Sequence, residues 1–96
     1  MATYVALFSW TGQGVRNAKA TVKRAEKFAK AIRKTGGRLK DIYWTMGRYD
    51  GVLVLEAPND ETATSIMVGV CSLGNIKTET MRAFDAAAMG KILAKA

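Results

Sequence analysis

Five consecutive residues concentrate the reactive side chains of this sequence. Gly47-Arg48-Tyr49-Asp50-Gly51 sets a guanidinium, a phenol and a carboxylate side by side between two glycines. Such a group suits ligand binding: Tyr49 and Asp50 as polar anchors, Asp50 as a candidate base, and Arg48 as the partner of an anion. Other chemistry is excluded by what is missing. Without histidine there is no Ser-His or Cys-His nucleophile pair and no imidazole acid–base step. Cys71 is the single cysteine, so no internal disulfide forms, and it reads as a reduced core thiol. One thiol and eight scattered carboxylates do not make a transition-metal site, and no cofactor is expected.

The elements that position these residues follow from periodicity. Thr3–Trp10 is β-branched and aromatic, a strand by composition. After the loop Thr11-Gly12-Gln13-Gly14, apolar residues recur at Val15, Ala18, Val22, Ala25, Ala29 and Ile32, the spacing of one helix face. Asn17 and Thr21 are alternative N-caps, and Gly36-Gly37 ends the helix. Arg38–Met46 and Val52–Ala57 read as two strands joined by a hairpin containing Asp50-Gly51. Pro58 closes the third strand and Asn59 caps a second helix with Ala63, Ile66, Met67 and Val70 on its apolar face. Gly74 ends that helix, Ile76–Phe84 is the fourth strand, and Asp85–Ala96 is a short helical tail.

The order β-α-β-β-α-β within 96 residues predicts one α+β domain, residues 1–96, with a ferredoxin-like four-stranded antiparallel sheet and both helices on one face. Strand residues alternate between faces. Tyr4, Ala6 and Phe8 oppose Val5 and Leu7; Leu53 and Leu55 oppose Val52 and Val54; Ile42 and Trp44 oppose Leu39 and Tyr43. Both faces are therefore apolar at the centre. The uncovered one spans roughly 400–450 Å², more than soluble monomers commonly leave exposed. A second copy covering it face to face across a two-fold axis is the expected solution, and assembly beyond the dimer stays open. The alternative is that the tail folds back over its own sheet.

In this topology the end of strand one, the second hairpin and the start of strand four share one edge of the domain. Thr11, Gln13, Arg48, Tyr49, Asp50 and Asn75 gather there beside the start of the first helix, with Trp44 and Trp10 behind as an apolar wall. Each also has a structural reading. Gly47 and Gly51 permit positive φ, Asp50 makes an Asx-type turn bond, Tyr49 packs on the rim, and Gln13 and Asn75 satisfy loop backbone.

The whole pattern resembles the GYD domain family, small proteins linked to the dimeric α/β barrels. The matching pieces are TGQG at Thr11–Gly14, the Thr35–Gly37 turn, YWTMGRYDGV at Tyr43–Val52, LEAP at Leu55–Pro58 and LGNIKTETMRAF at Leu73–Phe84. The resemblance implies the ferredoxin-like fold and the paired barrel, and brings no agreed activity. Barrel relatives include haem-degrading and antibiotic-biosynthesis monooxygenases, stress proteins and amino-acid-sensing domains. Lack of histidine argues against a histidine-ligated haem here.

The net charge of +7 sits on one element. Arg16 to Lys40 holds ten of the fifteen basic residues and a single acid, Glu26. Arg16, Lys19, Lys23, Lys27, Lys30 and Lys34 form one helical stripe opposite the apolar face. A solvated lysine face is the simplest account, and polyanion binding the alternative; no aromatic platform accompanies it. No apolar run approaches the roughly 20 residues of a membrane span and no secretion signal opens the chain, so a cytoplasmic location is expected. Three functions remain open: binding of a small anionic or aromatic molecule at the loop edge, a cofactor-free oxygenase or isomerase using Tyr49 and Asp50, and a polyanion-binding module.

Overall fold

β1 (Ala2–Trp10) buries every second side chain, Tyr4, Ala6 and Phe8, as its apolar alternation requires. The computed structural model describes all residues, Met1–Ala96. β1 is central: it pairs antiparallel with β3 (Gly51–Ala57) on one side and β4 (Ile76–Ala83) on the other. β2 (Arg38–Trp44) completes a four-stranded antiparallel sheet in the order β2-β3-β1-β4. Two helices, α2 (Thr21–Lys34) and α3 (Asp60–Ser72), cover one face, making an α+β fold. The core is Tyr4, Ala6, Phe8, Leu53, Leu55 and Ala57 from the sheet with Ile32, Ala63 and Met67 from the helices. No helix is long and apolar enough to cross a membrane.

The first helical stretch differs from its periodicity. It is three pieces: α1 (Gly12–Arg16), a 3₁₀ turn at Ala18–Ala20, and α2. Thr11 caps α1, its Oγ1 accepting from Gly14 N at 3.1 Å. Neither Asn17 nor Thr21 caps α2, which starts after Ala20 without a side-chain cap. Asn17 instead donates through Nδ2 to Gln13 O at 3.1 Å and closes the first piece. The kink turns Val15 and Val22 to solvent, although both lie on the apolar stripe. α3 begins as expected, with Asn59 Oδ1 accepting from Thr62 N at 2.8 Å and Asp60 and Glu61 in the first turn.

β2 departs in two places. It ends at Trp44, and Met46, expected within it, is 97% exposed. Between Leu39, paired with Leu55, and Asp41, paired with Val54, the register shifts by a bulge at Lys40. The bulge brings Leu39 onto the helix side with Ile42 rather than beside Tyr43, and both pack on the core.

On the other face, Val5, Leu7, Val52, Val54, Tyr43 and Met81 form an apolar centre, bordered by Glu56, Arg38, Lys77 and Glu79. No element of the chain covers it. The tail helix α4 (Ala86–Ala94), capped by Asp85, buries none of its residues and packs closely on no other element. It leaves Met89, Ile92 and Leu93 42%, 41% and 58% exposed. The molecule accordingly measures 48 × 31 × 17 Å.

Candidate functional site

The segment after β1 is stitched to the start of β4. Thr11 N donates to Asn75 O at 3.1 Å and Thr11 Oγ1 to Gly74 O at 2.6 Å. Gln13 Nε2 donates to Leu73 O and Asn75 Oδ1, both at 3.0 Å. Gly14 makes this joint possible: a Cβ there would lie 1.9 Å from Asn75 O. Thr11, Gln13 and Asn75 thus meet as expected, with Thr11 Oγ1, Gln13 Nε2 and Asn75 Oδ1 engaged with each other and with backbone.

The hairpin residues disperse. Its loop is Thr45–Asp50, closed by Thr45 N to Asp50 O at 2.9 Å and Thr45 Oγ1 to Tyr49 O at 2.7 Å. Asp50 makes no Asx turn within the hairpin. Its Oδ2 accepts from Trp10 N at 2.8 Å and its N donates to Phe8 O at 2.9 Å, tying the hairpin to the end of β1. Gly51 is required for contact rather than for positive φ: a Cβ would sit 2.0 Å from Phe8 Cζ, whereas Gly47 does carry φ +119°. Tyr49 donates its hydroxyl to Glu79 Oε2 at 2.9 Å, and Glu79 belongs to the uncovered face. That bond, aided by burial, raises the phenol above its ordinary value, and Arg48 lies 5.6 Å from the ring centroid. With Asp50 and Tyr49 engaged by different partners, the two do not form one acid–base pair.

Trp44 turns to the helix side, where Nε1 donates to Thr21 Oγ1 at 3.0 Å. It forms one wall of a cavity of about 460 Å³ between α2, α3 and the sheet. Phe8, Phe28, Ile42, Leu53, Ile66 and Ile76 supply most of the apolar lining, and Asn75 reaches it from below the loop joint. Of the expected site residues, Trp44 and Asn75 line this space, as does Lys27 of the basic stripe. Arg16, Lys19, Lys23, Lys30 and Lys34 are exposed and lie outside it. Its volume is typical of small-molecule sites.

Arg24 is the cavity residue that motif reading missed. Its Nη1 donates to Asn17 O at 2.7 Å, while its Nη2 is buried and without a partner. A signal was present: Thr21, Arg24, Phe28, Ala31 and Thr35 recur at spacings of three and four, and all five line the cavity. Ile66, Gly69 and Val70 of α3, with Leu73 just after its end, do the same. Cys71 is half-buried, its Sγ 3.4 Å from Thr78 Oγ1, and no group of acidic and thiol side chains is arranged to hold a metal ion.

Solved structures share the fold, among them the following two. The chain is similar to FFRP-DM1, with a TM-score of 0.63 at 20% identity over 88% of this chain and all of that one. It is also similar to TTHA0845 from Thermus thermophilus, with a TM-score of 0.57 at 25% identity over 90% of this chain and 96% of that one. No curated protein matches the sequence. The GYD domain family model matches residues 4–93, nearly the whole chain, and the protein belongs to the GYD domain family.

Proposed function

We propose that this is a ferredoxin-like, homodimeric α/β-barrel protein, each copy of which holds a small apolar or aromatic molecule between α2, α3 and the sheet. The observation that carries the binding reading is the cavity itself: about 460 Å³ of mainly apolar space in a chain of 96 residues. The space is a cleft open to solvent on the side of Lys27, Ala31 and Ser65, and its apolar walls lose that contact with water when a molecule of matching chemistry fills it. Trp44 and Asn75 link it to the loop edge singled out in the sequence.

Pairing of two copies is supported by the apolar centre around Val5, Leu7, Val52 and Val54, which the tail leaves uncovered. Two faces of the estimated size bury roughly 800–900 Å², short of the ~1,200 Å² of stable interfaces. The exposed Phe84, Met89, Ile92 and Leu93 offer the remaining apolar area.

Native mass spectrometry of the protein purified from its host tests both parts. The expected species is a dimer carrying additional small-molecule mass. Val5→Glu, which sets a carboxylate in the middle of the face, should weaken self-association by more than about a hundredfold yet leave the added mass in place. A bare monomer at micromolar concentration refutes the dimer. Unchanged ligand mass in Ala31→Trp, where an indole intrudes on the cavity lining, refutes the cavity as the binding site.

A further inference from the structure

We infer that the outer side of α2 is a second binding surface, for the phosphate backbone of a nucleic-acid duplex held without regard to sequence. The +7 of the chain is concentrated there: ten of its fifteen basic residues and one of its eight acids fall between Arg16 and Lys40. Within α2, Ala25, Phe28 and Ala29 are half-buried and Ile32 is buried, which fixes the side turned to the sheet. Lys23, Lys27, Lys30 and Lys34 are all exposed. At 3.6 residues per turn they fall opposite that side, in a strip about 60° wide and about 16 Å long. The 3₁₀ turn separates Arg16 and Lys19 from this strip, so the surface is these four lysines.

Little within the chain answers their charge. Both ion pairs of the molecule, Arg38–Glu56 and Arg82–Asp60, lie off α2. Neighbouring lysines of the strip stand three or four residues apart, a like-charge arrangement that works against a helix. Glu26 relieves Lys30 at i,i+4, and α2 has no other acid. Lys23 stands in the first turn, where the helix dipole disfavours a cation and no acid compensates. Mixed charges would serve solubility; a strip of one sign makes a field that draws an anion.

One ammonium per turn along a straight line suits a linear, repeating anion. Helices that lie on membranes insert a free apolar face, whereas that of α2 is committed to the core through Ile32 and Phe28. The strip contains no aromatic ring on which an unpaired base could stack, which favours the backbone of a duplex over a single strand. It lies on the helix side of the sheet, so pairing of two copies through the open face leaves it free.

Fluorescence anisotropy with short labelled duplexes of two unrelated sequences tests the assignment on the intact chain. Both should bind alike, and affinity should fall about a hundredfold between roughly 50 and 200 mM salt, as four neutralised phosphates require. Lys23→Gln with Lys27→Gln should reduce the magnitude of the logarithmic salt slope by about two. Lys91→Gln with Lys95→Gln removes the same charge from the tail and should leave the slope unchanged. Glutamine is a good helix former, and melting curves that superimpose on wild type secure both comparisons. Equal losses in the two double variants overturn the strip as the site, because net charge alone would then account for binding. Absence of binding at about 100 µM protein in ~50 mM salt overturns the proposal. Tighter binding to vesicles of anionic lipid, or to the single strand, overturns the duplex as the partner.

Discussion

The two faces of one sheet are built from alternate residues of the same strands, yet they end in opposite states. On the helix side Leu53, Leu55 and Ala57 are 2%, 0% and 0% exposed, sealed by Ile32, Ala63 and Met67. On the other, Val52 and Val54 are only partly buried and Tyr43 is 62% exposed, because no helix of the chain covers them. Even the covered side keeps an open cleft between α2, α3 and the sheet, with Phe8 and Leu53 in its lining. Hydrophobic alternation therefore makes both faces apolar, and topology decides which of them the helices of the chain cover.

The sharpest way to break this contrast is to truncate neighbouring residues of β3. Leu55→Ala should cost about 2–5 kcal/mol of unfolding free energy, as for other fully buried leucines. Val54→Ala should cost clearly less in dilute protein, and its cost should grow with protein concentration if a partner covers that face. Denaturant titrations at two concentrations make the measurement; equal, concentration-independent losses would remove the distinction between the faces.

Next in size is the hairpin tie. Asp50→Ala leaves Trp10 N without its acceptor and should cost about 1–3 kcal/mol. If Asp50 served only a ligand, the melting temperature would not move.

The smallest effect lies at the border of the open face. Arg38, hydrogen-bonded to Glu56, holds that carboxyl below its ordinary 4.5. A depressed carboxylate stabilises the fold above the unfolded value and loses that contribution as pH falls through the folded one. NMR titration of Arg38→Met should find Glu56 moved back up towards 4.5, with the acid-side loss of stability correspondingly reduced.

Most of the fold was legible because the informative residues act locally. Asn59 caps α3, Gly74 ends it at φ +85°, and the alternation in β1 and β3 separated the residues of the two sheet faces correctly, without saying which face the helices cover. What was hidden depends on distant partners. Asp50 stands next to a glycine like any turn residue, and its bond to Trp10 spans 40 positions. The break between α1 and α2 falls in a run whose apolar period is unbroken, so Val15 and Val22 signal burial they do not receive. At the site, the polar motif drew attention to groups that bond to separate partners within the protein, whereas Arg24 lay inside a helical stripe and became visible as a cavity residue once α3 stood opposite it.

The bulge at Lys40 has a further effect on how copies of this chain can meet. β2 and β4 are the outer strands of the sheet, and a straight outer strand offers unpaired amides and carbonyls as a template for endless side-by-side growth. The extra residue interrupts the even spacing of those groups along β2 and places a lysine at the interruption. Edge-to-edge growth into an open fibre is thereby discouraged on that flank.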